Sequence, residues 1–411
     1  MLIAKNQPSE DWDVKTCRQA RQIFRLLGKL LWEKNVIRLE ELAQHHFAGL
    51  VELLGEVATS YGKSPKDELR STAELRDIGG SKPSAKRGIK AGTLNRHLTF
   101  LGQLLVYLRG QGLKIDRDID ISLLRPKTRN QRGSDKRATF SNNELAEIFN
   151  LACFTGCAGW KGAEAFSPGS QIFHCALYFA TILLYYTGAR REEICGLAIV
   201  DVQTPELEIG GEKKPAPSLF IRKNEARRLK NVQSMRLIAL VPEVVQLGFL
   251  DYVAEIRKLG YTLVFPDLRS PTSSSPMGDR LYDELKRGID KVIPDASARK
   301  KVLHSFRKTF GDSLKQAGVH AEIRGDILSH GGGAVTEEIY CDPIALSAML
   351  DHLRKLPIVT AHLEPRPINL LPWVAEKVTP PHARQRAKRR LDQLAPQTAP
   401  SAARLREQSR H

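Results

Sequence analysis

Residues 187–202, TGARREEICGLAIVDV, decide how the second half of this chain is read. The apolar run before them, ALYFATILLYY, predicts a buried helix that Thr187 and Gly188 stop. A second helix is expected to begin near Arg190, with Glu192 and Glu193 in its first turn, where carboxylates favour the helix dipole. Ile194 and Leu197 then point inward. Arg190 is therefore fixed at a tight junction between two buried helices. It can serve as a rigid platform for a charge, or as the structural ion-pair partner of a nearby glutamate.

Three further stretches carry groups of matching chemistry. In HSFRKTFGDSLKQAG (304–318), Phe306, Phe310 and Leu314 recur four apart and predict one buried helical face, with Gly318 stopping the helix. His304 and Arg307, three apart, are neighbours on another face. In SHGGGAVTEEIY (329–340), three glycines separate His330 from Tyr340. In RRLKNVQ (227–233), Lys230 stands before Arg236 and a strand-like run, with Lys223 as the rival lysine. Two arginines, a lysine and two histidines can bind and protonate a phosphodiester, and a tyrosine can attack it. Taken singly each motif also has an ordinary structural reading: a surface pair for HxxR, a half-buried amphipathic residue for the tyrosine. Their joint occurrence in this order favours the chemical one.

The bulk composition bounds the partners. The chain has 411 residues, long for one domain, and a formal net charge of +17, which attracts polyanions. Nucleic acid fits best; an anionic membrane surface or plain solubility would also accommodate the charge. The longest apolar run, Cys175 to Tyr186, is about 12 residues against the roughly 20 a bilayer span needs. The N-terminus, MLIAKNQPSEDWD, lacks a secretory signal pattern, so a soluble intracellular protein is expected. Six scattered cysteines (Cys17, Cys153, Cys157, Cys175, Cys195 and Cys341) suit a reducing compartment. Cys153, Cys157 and His174 could be metal ligands but lack a fourth, and buried thiols are the favoured reading; neither metal nor cofactor is expected.

The first part of the chain reads as helices. Ala20, Ile23, Phe24, Leu27, Leu30 and Leu31 form one helical face within 17–32, and Leu94, Leu98, Leu101, Leu105 and Leu108 another within 93–109. Between them lies SKPSAKRGIK, with Lys82, Lys86, Arg87 and Lys90; Asn95, Arg96 and His97 follow on what reads as the polar face. These residues are either a solvated loop and surface or a contact surface for a phosphate backbone. Residues 125–137, RPKTRNQRGSDKR, have linker composition, and Arg129 and Arg132 there would also run along phosphates. Ser141 with Glu144 predicts a capping box opening a helix over 142–151. Leu219 and Ile221, then Leu237 and Leu240, predict a small antiparallel sheet. From Pro357 the chain turns proline-rich and basic, ending in the run Arg384, Arg386, Lys388, Arg389 and Arg390 and an Ala/Pro/Ser tail, for which disorder is expected.

Together these motifs resemble the tyrosine recombinase (phage integrase) family. TGARREEICGLAIVDV is similar to its first-arginine box, with Arg190 as the arginine, Glu193 three residues on and Asp201 eleven on. HSFR matches the HxxR box; Ser329–His330 falls where the family has Gly-His, and Tyr340 where it has its nucleophile. The resemblance covers about 140–355 and implies a mostly α fold with a small antiparallel β-sheet. It implies a helical core-binding domain (1–124), a basic linker (125–139), a catalytic domain (140–355) and a tail (356–411), the two domains closing around a DNA duplex. It further implies site-specific DNA cleavage and rejoining through a 3′-phosphotyrosyl intermediate, for integration or excision of a mobile element. Its setting would be the bacterial cytoplasm or nucleoid, without a metal. The implied partners are double-stranded DNA, a homo-tetramer on paired recombination sites and an accessory directionality factor, with no membrane. The alternatives are a catalytically silent DNA-binding protein of the same fold and a type IB topoisomerase-like enzyme. After Tyr340, the apolar residues Ile344, Leu346, Met349, Leu350 and Leu353 are expected to pack either on a neighbouring subunit or within their own.

Overall fold

The computed structural model describes residues 2–6, 12–126, 137–209, 212–227, 234–270, 276–329 and 344–381. Arg129, Arg132, Lys230, His330, Tyr340, Cys341 and the basic run 384–390 lie outside the described residues. The chain forms two compact units, residues 1–130 and 131–411. The fold is mostly helical, with two small antiparallel sheets among the described residues.

The first unit is built on the helices Val14–Glu33, Gln44–Glu56, Thr72–Gly80 and Ala91–Gly110. Asp13 caps the first, its carboxylate accepting the Thr16 N–H at 2.5 Å. Leucines at the expected spacing, Leu27, Leu30, Leu98 and Leu101, share one core with Phe47 and Leu50. His97 departs from expectation, being buried rather than on a polar face. It lies four residues before Leu101 and beside Leu98, within the buried stripe, and burial pushes its imidazole down to about 4, so it is neutral and cannot supply charge to a surface.

The second unit opens with the capping box: Ser141 Oγ accepts from the Glu144 N–H at 3.2 Å and the Glu144 carboxylate from the Ser141 N–H at 2.7 Å. The helix it starts, Asn142–Phe149, ends two residues earlier than predicted. The apolar run becomes a π-turn, Ala176–Ala180, continued as the α-helix Thr181–Thr187 through the middle of the core. Strands Val202–Gln203, Ser218–Ile221 and Arg236–Ala239 form one antiparallel sheet, with Leu219 opposite both Val202 and Ile238. A separate two-stranded ribbon, Glu206–Ile209 with Glu212–Pro215, was not expected: Leu207 and Ile209 alternate with glutamates in its first strand, but the second, Glu-Lys-Lys-Pro, has no apolar alternation.

Two expectations concern the end of the chain. The helix Leu346–Leu353 packs on its own subunit's sheet: Met349 and Leu353 are buried, and the Met349 sulfur accepts the Ala239 N–H at 3.4 Å. Disorder from Pro357 onward is contradicted over 357–381. The Tyr185 hydroxyl donates to the Pro357 carbonyl and that of Tyr186 pairs with the Thr360 hydroxyl, both at 2.8 Å, while Leu371, Trp373 and Val374 join the core. Proline content was misleading because the buried apolar side chains of this stretch fall in short groups, such as Leu371, Trp373 and Val374, too brief to show a period.

Candidate functional site

Gly188 makes the junction before Arg190. Its φ of +59° ends the central helix in the left-handed region, and a β-carbon there would lie 2.4 Å from the Phe310 ring. Only glycine permits the close crossing of the helices Thr181–Thr187 and His304–Gln316. Arg190 then caps the helix Arg191–Cys195, its own N–H bonded to the Glu193 carboxylate at 2.7 Å.

The Arg190 guanidinium is held from three sides. Its Nη1 donates to Glu193 at 2.7 Å and to the Ser234 hydroxyl at 3.3 Å, and its Nη2 to the Ser329 carbonyl at 3.2 Å. Arg307, one turn into the helix His304–Gln316, donates to the Gly188 carbonyl at 2.8 Å and to the Leu328 carbonyl. Each arginine is thus tied to backbone beside the other or at Leu328–Ser329, and the two converge on the segment leading to residue 330. Desolvation lowers Arg307 to about 9, and the neighbouring Arg190 charge pushes in the same direction. Arg307 is nearly buried, whereas Arg190 keeps about a quarter of its side chain exposed. The pair forms a fixed cationic centre with one open member.

Glu193 joins this centre to a third arginine, one the sequence marked only as the start of a strand. Arg236 is buried, donates from Nη2 to Glu193 at 2.9 Å, and spans from Ser234 O to Ile327 O. Burial alone would raise the Glu193 carboxyl, but Arg236 and then Arg190 outweigh it and hold it below the usual range. A single buried carboxylate therefore orients two guanidiniums. Of its two sequence readings, the structure shows Arg190 as a glutamate's ion-pair partner.

Asp201 does similar work one layer behind. Fully buried, it accepts from Arg222 at 2.7 Å, Asn224 at 3.1 Å, the Ala198 N–H at 3.0 Å and buried Arg227 at 3.3 Å. Arg227 also donates to the Glu193 carbonyl at 2.6 Å and packs over Gly196. Residues 222–227, which lead toward Lys230, are thereby anchored to the helix that begins with Arg190. Sequence reasoning missed Arg227 and Ser234, whose partners lie 34 and 44 residues away.

Of the remaining expected residues, His304 is exposed at the first turn of its helix, next to buried Arg307, and Lys223 is exposed just beyond the strand Ser218–Ile221. In the first unit, Lys82, Lys86, Arg87 and Lys90 are exposed on a loop clamped to the helix Gln44–Glu56. Gly88 N–H donates to Val57 O at 2.7 Å, and the positive φ of Gly88 brings it too close to Gly55 for any side chain. Arg96 is exposed and reaches Gln19 at 3.3 Å, whereas Asn95 is half-buried. Cys153, Cys157 and His174 show no ligand set. The Cys157 thiol donates to Gln171 O at 3.1 Å, His174 Nδ1 accepts the Asn369 N–H at 3.0 Å, and no group of metal-ligating side chains occurs among the described residues. Likewise, no helix among them is long and apolar enough to cross a membrane.

No family model matches the chain, and no curated protein does. Among solved structures it is similar to the integrase from mycobacterium phage Brujita, at 12% identity over 91% of this chain and 95% of that one, with a TM-score of 0.35. It is also similar to the XerH site-specific recombinase bound to its difH substrate (15% identity, 77% and 73%, TM-score 0.39). A third is a lambda integrase dimer bound to a COC′ core site (13%, 83% and 96%, TM-score 0.40). The solved structures it resembles are integrases and site-specific recombinases. TM-scores this low carry no argument about mechanism, which rests on the side chains described above.

Proposed function

We propose that this protein is a site-specific DNA recombinase that cuts and rejoins duplex DNA through a covalent tyrosine link, integrating or excising a mobile element. The observation that carries this reading is the convergence of Arg190 and Arg307, 117 positions apart in sequence, on the backbone immediately before His330. A surface HxxR pair or an isolated ion pair would not need that arrangement.

In the proposed reaction the Tyr340 phenolic oxygen attacks the phosphorus in line, and its proton passes to His304. Charge builds on the non-bridging oxygens, where guanidinium groups stay charged and form forked hydrogen bonds, with His330 donating another. The bond from phosphorus to the 5′ oxygen breaks, and Lys230, or Lys223 in its place, protonates the leaving oxygen. The resulting 3′-phosphotyrosyl ester keeps the phosphoester available to a second strand. Glu193 and Arg236 act through Arg190 as positioning residues. No step calls for a metal.

Duplex DNA would be gripped mainly through phosphates. The basic loop with Lys82, Lys86, Arg87 and Lys90, together with Asn95 and Arg96, would supply one contact surface, and Arg129 and Arg132 of the linker another. The functional assembly is proposed to be a tetramer on paired sites in the bacterial cytoplasm or nucleoid, with direction set by an accessory factor. The test pairs wild type with Tyr340→Phe on site-bearing DNA. Wild type is expected to give a denaturant-resistant protein–DNA adduct, and the variant to bind without forming one. Binding with no adduct from either protein would leave a silent binder, and relaxation of a plasmid lacking any site would indicate a topoisomerase.

A further inference from the structure

The turn formed by residues 222–227 is fastened to the arginine centre by one side chain. Arg227 is buried, with no exposed side-chain surface. Its Nε donates to the Arg222 carbonyl at 2.8 Å, closing the turn, and its Nη1 donates to the Glu193 carbonyl at 2.6 Å, across 34 residues. Its Nη2 reaches Asp201 at 3.3 Å. Asn224 fastens the other arm, its Nδ2 donating to the Gly196 carbonyl at 2.9 Å and to Asp201 at 3.1 Å. Main-chain bonds between Asn224 and Arg227, at 3.0 and 3.2 Å, hold the two arms together. Gly196 leaves room for this contact: a β-carbon there would lie 2.8 Å from that of Arg227.

Glu193 is the shared post. Its carboxylate holds Arg190 and its carbonyl holds Arg227, so the turn and the cationic centre are placed relative to one another through one residue. Lys223 lies inside this turn, and Lys230 follows Arg227 by three residues. The described chain resumes at Ser234, which is buried and bonded to Arg190 at 3.3 Å. The chain is thus tied to the Arg190 junction on both sides of the stretch 228–233. A buried charge is costly, and an apolar side chain of similar volume would serve packing as well or better. What an apolar side chain cannot do is bond two separate carbonyls and a carboxylate at once, as a planar fork does.

We propose that Arg227 is a positioning residue for departure of the 5′ oxygen: it sets the turn that carries or leads to the lysine against the Arg190 clamp. The inference rests on the strand-cleavage reading above. In that step the bond from phosphorus to the 5′ oxygen breaks, and the lysine ammonium passes its proton to that oxygen. With the turn displaced, Arg190 and Arg307 still grip the phosphate, but the proton no longer reaches the leaving atom. Arg227 touches no reacting atom and acts through the lysine.

The test compares site-bearing duplexes that differ at one atom, with oxygen or sulfur at the 5′ bridging position of the scissile phosphate. A thiolate leaves without a proton, because a thiol is a far stronger acid than an alcohol. Arg227→Lys keeps a cation beside Asp201 but gives up the fork. On the oxygen substrate it should cleave about 100-fold more slowly than wild type, the usual penalty for moving a reacting group by about 1 Å. On the sulfur substrate it should come within about threefold of wild type, since no general acid is then needed. Arg190→Lys, which weakens the clamp itself, should stay slow on both. The responsible lysine is the one whose alanine variant (Lys230→Ala or Lys223→Ala) is slow on oxygen and restored by sulfur. Added to that variant, Arg227→Lys should cost less than about threefold more, because both act on one proton transfer. A folded Arg227→Lys that cleaves the oxygen substrate normally, is equally slow on both, or adds its full effect to the lysine variant would overturn the proposal. If circular dichroism shows Arg227→Lys unfolded, Asn224→Ala, which loosens the same turn, decides by the same comparison of sulfur with oxygen. Wild type inert on both substrates would instead remove the strand-cleavage reading, and this inference with it.

Discussion

Two basic regions of this molecule solve opposite problems. The loop with Lys82, Lys86, Arg87 and Lys90 holds its charges in water, on a backbone fixed by Gly88. The centre formed by Arg190, Arg236 and Arg307 holds its charges largely out of water, each tied to carbonyls or to Glu193. Exposed cations cost little, are screened by salt and attract a polyanion from any direction. Buried ones are expensive unless paired, but they stay where they are put. A protein that needs only to hold DNA can use the first kind; one that must stabilise charge at a single phosphorus needs the second. Substitutions in the two regions should therefore fail in different ways.

The largest effect is expected at Glu193. Glu193→Ala leaves Arg236 buried and unpaired, and breaking such a pair costs about 3–5 kcal/mol, read as a lowered urea midpoint. The pH dependence has a definite sign. Because the folded carboxyl is depressed, its contribution is fully present above the ordinary glutamate range and is lost as pH falls through the lower folded value. Acid unfolding of wild type should show that loss, and a Glu193→Gln variant should lack it. An unchanged acid limb in Glu193→Gln would remove the carboxylate from the account.

Arg190→Lys keeps a cation beside Glu193 but gives up the fork. Stability should hardly move, while cleavage should fall by about 100- to 1,000-fold, roughly 3–4 kcal/mol, by analogy with the loss of one preorganised oxyanion donor. A variant that cleaves normally would make Arg190 purely structural. Gly188→Ala should cost about 1–3 kcal/mol of stability, from positive φ and the clash with Phe310, and should lower cleavage further by moving the arginine junction. The smallest effect on the fold belongs to the loop. Replacing Lys86, Arg87 and Lys90 by alanine should change stability by less than about 0.5 kcal/mol. It should nevertheless flatten the dependence of DNA affinity on salt, by about 0.9 in the log–log slope for each phosphate that is no longer neutralised. A salt slope identical to wild type would take the loop out of the DNA interface.

What could be read from the sequence was whatever depends on near neighbours. The helix stop at Gly188, the Glu193 turn, the buried stripe of Phe306, Phe310 and Leu314, and the Ser141–Glu144 cap all follow from residues within one or two turns. Hidden from view were interactions closed by the fold. Arg236 and Arg227 reach Glu193 across 43 and 34 residues, and no local pattern separates a buried arginine from a solvated one. His97 was misplaced because polarity was weighed above its position beside Leu98 in the apolar stripe. Residues 357–381 were misread because Leu371, Trp373 and Val374 bury in one short turn amid prolines, too brief to show a period.

The central claim, that Tyr340 attacks a phosphorus gripped by Arg190 and Arg307, is tested most directly by trapping. Nicked duplexes drawn from the DNA flanking the coding sequence would be incubated with the protein, and the covalent adduct digested and sequenced by mass spectrometry. The account predicts a 3′-nucleotide joined to Tyr340, lost in Arg307→Ala. A nucleotide joined to any other residue, or no adduct from a protein that binds the same DNA tightly, would contradict it.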